Sequence, residues 1–86
     1  MVKVNVIFSF EGNIIIILCS IDDKIKEICQ RFATKINLNI NSLIFLYGGN
    51  QINFGLRFKE HANSFDNDNN EMRIHLNTDR IDEIIR

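Results

Sequence analysis

Two β-branched runs joined by a glycine turn, followed by a single stretch of helical spacing, leave this chain few ways to fold. In residues 2–10, Val4, Val6, Phe8 and Phe10 fall on one side, and Lys3, Asn5, Ile7 and Ser9 on the other. That is the period-2 pattern of a half-buried strand. Glu11-Gly12-Asn13 supplies turn chemistry and residues 14–19 form a second apolar run, so the chain opens with a β-hairpin. Ser20, Asp22 and Asp23 are helix-start residues. Beyond them Ile25, Ile28, Cys29, Phe32 and Ile36 recur at spacings of three and four, which predicts one amphipathic helix over residues 22–35.

The rest of the chain returns to strands. Asn37-Leu38-Asn39-Ile40-Asn41 ends the helix without proline, and residues 43–47 resume strand character. Gly48-Gly49-Asn50 then turns the chain into a short strand at residues 51–52. Residues 54–63 read as a loop holding one helical turn, residues 66–70 as a polar loop, and residues 72–76 as a last strand. A length of 86 residues allows one small domain that hides only about 60% of its unfolded surface. A hairpin, a helix crossing one sheet face and a returning strand pair make a layered α+β domain. It is expected over residues 1–77. Residues 78–86, with Ile81, Ile84 and Ile85 at helical spacing, form a tail or the start of a linker.

Composition excludes several classes of function. Ten basic side chains against eleven acidic ones leave a net charge of −1, without the basic excess that phosphate neutralisation requires, so no nucleic-acid partner is expected. The longest apolar run, residues 14–19, is far short of a membrane span, and no signal-peptide pattern follows Met1. A soluble location in the cytoplasm or nucleus is expected. Cys19 and Cys29 lie inside apolar patterns with no CxxC, which reads as two buried thiols in a reducing compartment.

Chemistry-bearing constellations are weak. Asp66-Asn67-Asp68-Asn69-Asn70 starts like a calcium loop, but Glu71 stands where glycine is required and Asn77 where the bidentate acid is required. His61 and His75 are far apart with no third ligand at metal spacing. Cys29 with His61 would lack a third orienting group for nucleophilic catalysis. No enzyme activity, cofactor or metal is expected.

The segment Asn41-Ser42-Leu43-Ile44-Phe45-Leu46-Tyr47-Gly48-Gly49-Asn50-Gln51-Ile52 resembles the third-strand region of ubiquitin-like proteins, closest to the small ubiquitin-like modifier, SUMO. The family pattern there is Asn-Ser-Leu-x-Phe-Leu-aromatic-x-Gly-x-x-Ile. Extended backwards without a gap, the resemblance sets Cys29-Gln30-Arg31-Phe32 on the end of the family's helix and residues 15–19 on its second strand, covering about residues 3–77. It implies a β-grasp fold, with the helix packed on a mixed sheet of four or five strands in the order 2-1-5-3.

Two departures from the family bear on function. The modifiers end in a flexible Gly-Gly that is joined to lysine, whereas here the last strand runs into Asn77-Thr78-Asp79-Arg80, and Gly48-Gly49 lies in a turn. The expectation is a non-conjugated protein-binding module, part of a larger protein; the alternative is a modifier whose Gly-Gly lies beyond Arg86. The family also accepts an extended apolar peptide as an added strand between strand two and the helix, and its basic residues there fall on Leu18, Ser20, Glu27 and Arg31, of which Arg31 alone keeps the charge.

If Ile15, Ile17 and Cys19 face the helix, then Ile14, Ile16 and Leu18 face the other way, as do Ile44 and Leu46 beside Arg73 and His75, with Ile7 between them. Leu46 with His75 is similar to the apolar-plus-histidine core of ubiquitin's own patch. The expected partner is therefore a protein, held through the open sheet face, the strand-two edge, or both. The domain itself is expected to be a monomer; the alternative is weak self-association through its apolar face.

Overall fold

A computed structural model describes residues 2–78. The tail after Thr78, with Ile81, Ile84 and Ile85, lies outside the described residues. Strand β1 (Lys3–Phe10) and strand β2 (Asn13–Ser20) pair antiparallel over their full length, from Lys3 opposite Ser20 to Phe10 opposite Asn13. Glu11 and Gly12 close the hairpin with φ of 50° and 81°. Two left-handed residues in a two-residue loop match the right-handed twist of the strands, which is why a glycine is needed here. The expected alternation is present: Val4, Val6 and Phe8 are buried against the helix.

Helix α1 (Ile25–Lys35) starts three residues later than its capping signals predict. Ser20 and Asp23 are committed to a turn of their own: the Ser20 amide donates to Asp23 Oδ2 at 2.9 Å, and the Asp22 amide to Ser20 Oγ at 3.2 Å. The first amide of the helix, that of Ile25, donates instead to the Leu56 carbonyl at 2.8 Å, beside a bridge between Lys24 and Arg57. At the other end Asn37 takes the left-handed conformation, φ 60°, while the Asn37 and Leu38 amides donate to Thr34 and Ala33. This closure satisfies the last carbonyls and explains a helix stop without proline.

A 3-10 turn (Ile40–Ser42) leads into β3 (Leu43–Tyr47), and the Gly48-Gly49 turn into β4 (Asn50–Gln51), one residue earlier than expected. A single helical turn, α2 (Phe58–His61), follows and buries Phe58. The polar run expected as a loop is a helix, α3 (Ser64–Asn69): the Asn63 side chain caps it by accepting from the Asp66 amide at 2.8 Å, and left-handed Asn70 ends it. Local capping overrides the turn preference of Asp and Asn. Strand β5 (Glu71–Thr78) runs parallel to β1 and antiparallel to β3. The sheet order is β2-β1-β5-β3-β4, which is the order 2-1-5-3 implied by the resemblance with β4 added outside β3.

The buried face of α1 carries Ile25, Ile28, Cys29, Phe32 and Ala33. Phe32 stacks on Phe8 at 4.4 Å between centroids and meets Phe45 edge-on at 6.2 Å. That aromatic stack ties the helix to β1 and β3, the two neighbours of β5, so it fixes where α1 lies relative to β2.

Candidate functional site: the free edge of strand two

Among the described residues, strand β2 closes one side of the sheet and has one neighbour, β1. In a two-residue hairpin the closing pair exchanges hydrogen bonds, so Phe10–Asn13, Phe8–Ile15, Val6–Ile17 and Val4–Cys19 are the bonded pairs. The Ile21 amide donating to the Val2 carbonyl continues the same series. The N–H and C=O groups of Ile14, Ile16 and Leu18 therefore point away from the sheet, at the free edge. Their side chains lie on the open sheet face and are 64%, 55% and 61% exposed. Ile17 and Cys19, of opposite parity, are buried beneath the helix.

Beside this edge a groove of about 530 Å³ runs between β2 and α1, lined by Ile16, Ile17, Leu18, Gln30, Arg31, Thr34 and Lys35. Arg31, the basic residue the resemblance singles out, contacts Asp23 Oδ2 at 3.3 Å, so part of its charge is met within the domain. Lys35 has no ion-pair partner among the described residues. Sequence reasoning missed Lys35, Gln30 and Thr34, although their signal was present: Lys35 stands four residues after Arg31 and Thr34 four after Gln30, on one helix face. The Gln30 amide donates to Thr34 Oγ1 at 3.3 Å, which reinforces that face.

The open face does not hold one contiguous apolar patch. Register places Ile16, Ile7 and Arg73 in one row across β2, β1 and β5, and Ile14, Ser9, His75, Leu46 and Gln51 in the next. Ile44 lies opposite Asn77. Ile44 and Leu46 are half-buried, not freely exposed, and Ile7 is buried at the sheet centre with 7% exposure. Ser9, His75 and Arg73 thus separate the β3 residues from the aliphatic stripe on β2. Leu46 and Ile14 stand three strand spacings apart, about 14 Å.

The cysteines, His61 and Asp66 each have a place in the fold. Cys29 is fully buried and its thiol is pushed up to about 12 by desolvation, so it is no nucleophile at neutral pH. Burial, with Asp23 nearby, pushes the Cys19 thiol up to about 11. His61, the last residue of α2, accepts at Nε2 from the amide of Asn53 in the loop after β4 at 2.9 Å. Asp66 lies in the first turn of α3, with its carboxylate accepting from Tyr47 Oη, so the calcium-loop geometry does not form. Among the described residues no three His, Cys, Asp or Glu side chains gather as a metal site, and no helix is long and apolar enough to cross a membrane.

No protein-family model matches the sequence, and no curated protein matches it. Among solved structures the chain is similar to the ubiquitin-like domain of an Arabidopsis thaliana protein, determined by solution NMR. The TM-score is 0.75 at 12% sequence identity, over 98% of this chain and 85% of that one. Element order, the mixed sheet β2-β1-β5-β3-β4 and the helix packed across it agree with that likeness, and the chain adopts the ubiquitin-like β-grasp fold.

Proposed function

We propose that this domain is a non-conjugated ubiquitin-like module of a larger protein, and that it binds a partner by taking an extended aliphatic segment as an added strand on β2. The observation that carries the reading is the coincidence of three features along Ile14, Ile16 and Leu18: outward peptide groups, exposed aliphatic side chains, and a groove against α1. Main-chain hydrogen bonds would supply affinity, and alternate side-chain positions would supply selectivity. The partner makes no great demand on charge, because Arg31 is engaged by Asp23, and of the two basic residues on the rim Lys35 alone has no ion-pair partner among the described residues. The SUMO-like preference for acidic flanks is correspondingly weakened. Gly48-Gly49 supports the non-conjugated reading only in that it is held in the β3–β4 turn with φ of 60° and 84°.

The test is an amide chemical-shift titration with a peptide carrying four consecutive aliphatic residues. Changes concentrated at Ile14, Ile16, Leu18 and the α1 rim are expected; changes confined to Ile44, Leu46, Arg73 and His75 would move the site to the open face. The intact mass of the endogenous protein addresses conjugation, since a small product ending in Gly-Gly would make it a modifier.

A further inference from the structure

Among the described residues, strand β2 carries none of the devices that ordinarily protect a sheet edge. It carries no proline, no charged residue from Asn13 to Ser20, and no bulge, because its eight residues pair with β1 without interruption. The edge is also self-complementary. An antiparallel copy centred on Ile16 pairs Ile16 with Ile16 of the second copy and Ile14 with Leu18. At each pair both outward N–H groups meet an outward C=O. All the side chains involved then lie on one sheet face and extend a single aliphatic stripe across the junction.

We propose that two copies of this domain pair through β2 to form one continuous ten-stranded sheet, and that this pairing masks the peptide-docking edge. The masking half of the inference rests on the binding role proposed above; the pairing does not. Three aliphatic side chains, each more than half exposed, line the pairing edge of each copy. A short edge-to-edge contact that must offset the cost of association makes a weak, reversible dimer, with a dissociation constant on the order of 100 μM. The rim adds a sign to the salt dependence. Lys35, whose charge meets no ion-pair partner among the described residues, lines the same groove as Ile16 and Leu18, so pairing brings two like charges together, and added salt screens their repulsion. Self-pairing should therefore tighten as ionic strength rises, whereas capture of an acidic-flanked peptide should weaken.

Sedimentation of the domain across a concentration series up to about 1 mM tests the pairing. The expected result is a monomer–dimer equilibrium that strengthens about two- to five-fold between low and high salt and is lost in Ile16→Lys and Leu18→Lys. Both side chains are exposed, and near-UV circular dichroism checks that the variants remain folded. A wild type that stays monomeric at the highest concentration, or a dimer that persists in both variants, overturns the proposal. A synthetic peptide copying residues 13–20 with acidic flanks tests the masking. Conversion of dimer to a peptide-bound monomer supports it. Peptide binding that leaves the dimer intact overturns masking while sparing pairing. A dimer whose edge takes no peptide retires the docking reading instead.

Discussion

Asp23 Oδ2 accepts from the buried Ser20 amide at 2.9 Å and from the Arg31 guanidinium at 3.3 Å, so one carboxylate both closes the β2–α1 turn and holds the groove's arginine. The two roles separate by substitution. Asp23→Asn keeps an acceptor for the Ser20 amide and releases Arg31. Its stability should stay within about 0.5 kcal/mol of wild type, while affinity for an acidic-flanked peptide rises about two- to five-fold. Asp23→Ala also orphans the Ser20 amide and should cost about 1–2 kcal/mol. Urea unfolding and titration calorimetry of the two variants check both halves.

Phe32 is fully buried between the rings of Phe8 and Phe45. Truncation to alanine removes a stacked ring and leaves a cavity at the sheet–helix interface, at a cost of about 3–5 kcal/mol. That is comparable with the whole stability of a domain this small. Phe32→Ala should therefore lose its cooperative thermal transition, whereas Thr34→Ala, two residues along on the exposed side of α1, should keep it.

What was readable in the sequence follows from which forces act locally. The β1–β2 alternation and the three–four spacing from Ile25 to Phe32 report burial directly, and both elements stand where that spacing puts them. The start of α1 was not readable because it depends on a partner distant in sequence, and the helix at residues 64–69 was hidden by the turn preference of its Asp and Asn residues, which the Asn63 cap overrides. Leu56 accepts from the Ile25 amide, and Tyr47 Oη bonds Asp66. Facing parity on the sheet was legible for Ile14, Ile16 and Leu18, but contiguity was not. That needed the β1–β5 and β3–β5 registers, which set His75 and Ser9 between Leu46 and Ile14.

Tyr47 joins β3 to the segment before β5: its hydroxyl donates to Asp66 at 2.5 Å and accepts from the Asn63 amide at 3.0 Å. Tyr47→Phe should cost about 1–2 kcal/mol at neutral pH. Burial, and then the bond to Asp66, raise the Tyr47 hydroxyl above its ordinary range. A raised folded-state value means the contribution is full below the ordinary tyrosine value and falls as pH climbs past it. The gap between wild type and the phenylalanine variant should therefore narrow in alkaline urea melts.

The two thiols set an alkaline limit in the same direction. Both ionise near 9.0 when free, but the fold holds them to about 11 at Cys19 and about 12 at Cys29. Below pH 9 both stay protonated in either state and their contribution is complete. Above it the unfolded chain sheds protons that the folded chain keeps, so stability falls by up to about 1.4 kcal/mol per pH unit for each thiol. Cys29→Ala should lower stability by a constant amount through its cavity and also flatten the decline between pH 9 and 11. A parallel decline in wild type and variant would show that the Cys29 thiol titrates at its free value.

Ile16→Lys and Leu46→Glu distinguish the edge from the open face. Ile16 sits on the free edge with 55% exposure, and a lysine there keeps the backbone donors but replaces the aliphatic contact with a charge beside Arg31 and Lys35. Leu46 is half-buried opposite His75, with β5 and β1 between it and the β2 stripe. An aliphatic peptide lying along β2 should lose at least about ten-fold in affinity with Ile16→Lys and less than about three-fold with Leu46→Glu, because hot-spot losses fall off sharply outside the contacted core. Equal losses in both variants would mean that the partner spans the sheet from β2 to β3, over Ser9 and His75. A loss confined to Leu46→Glu would place the partner on Ile44, Leu46 and His75 and leave the β2 edge for self-pairing.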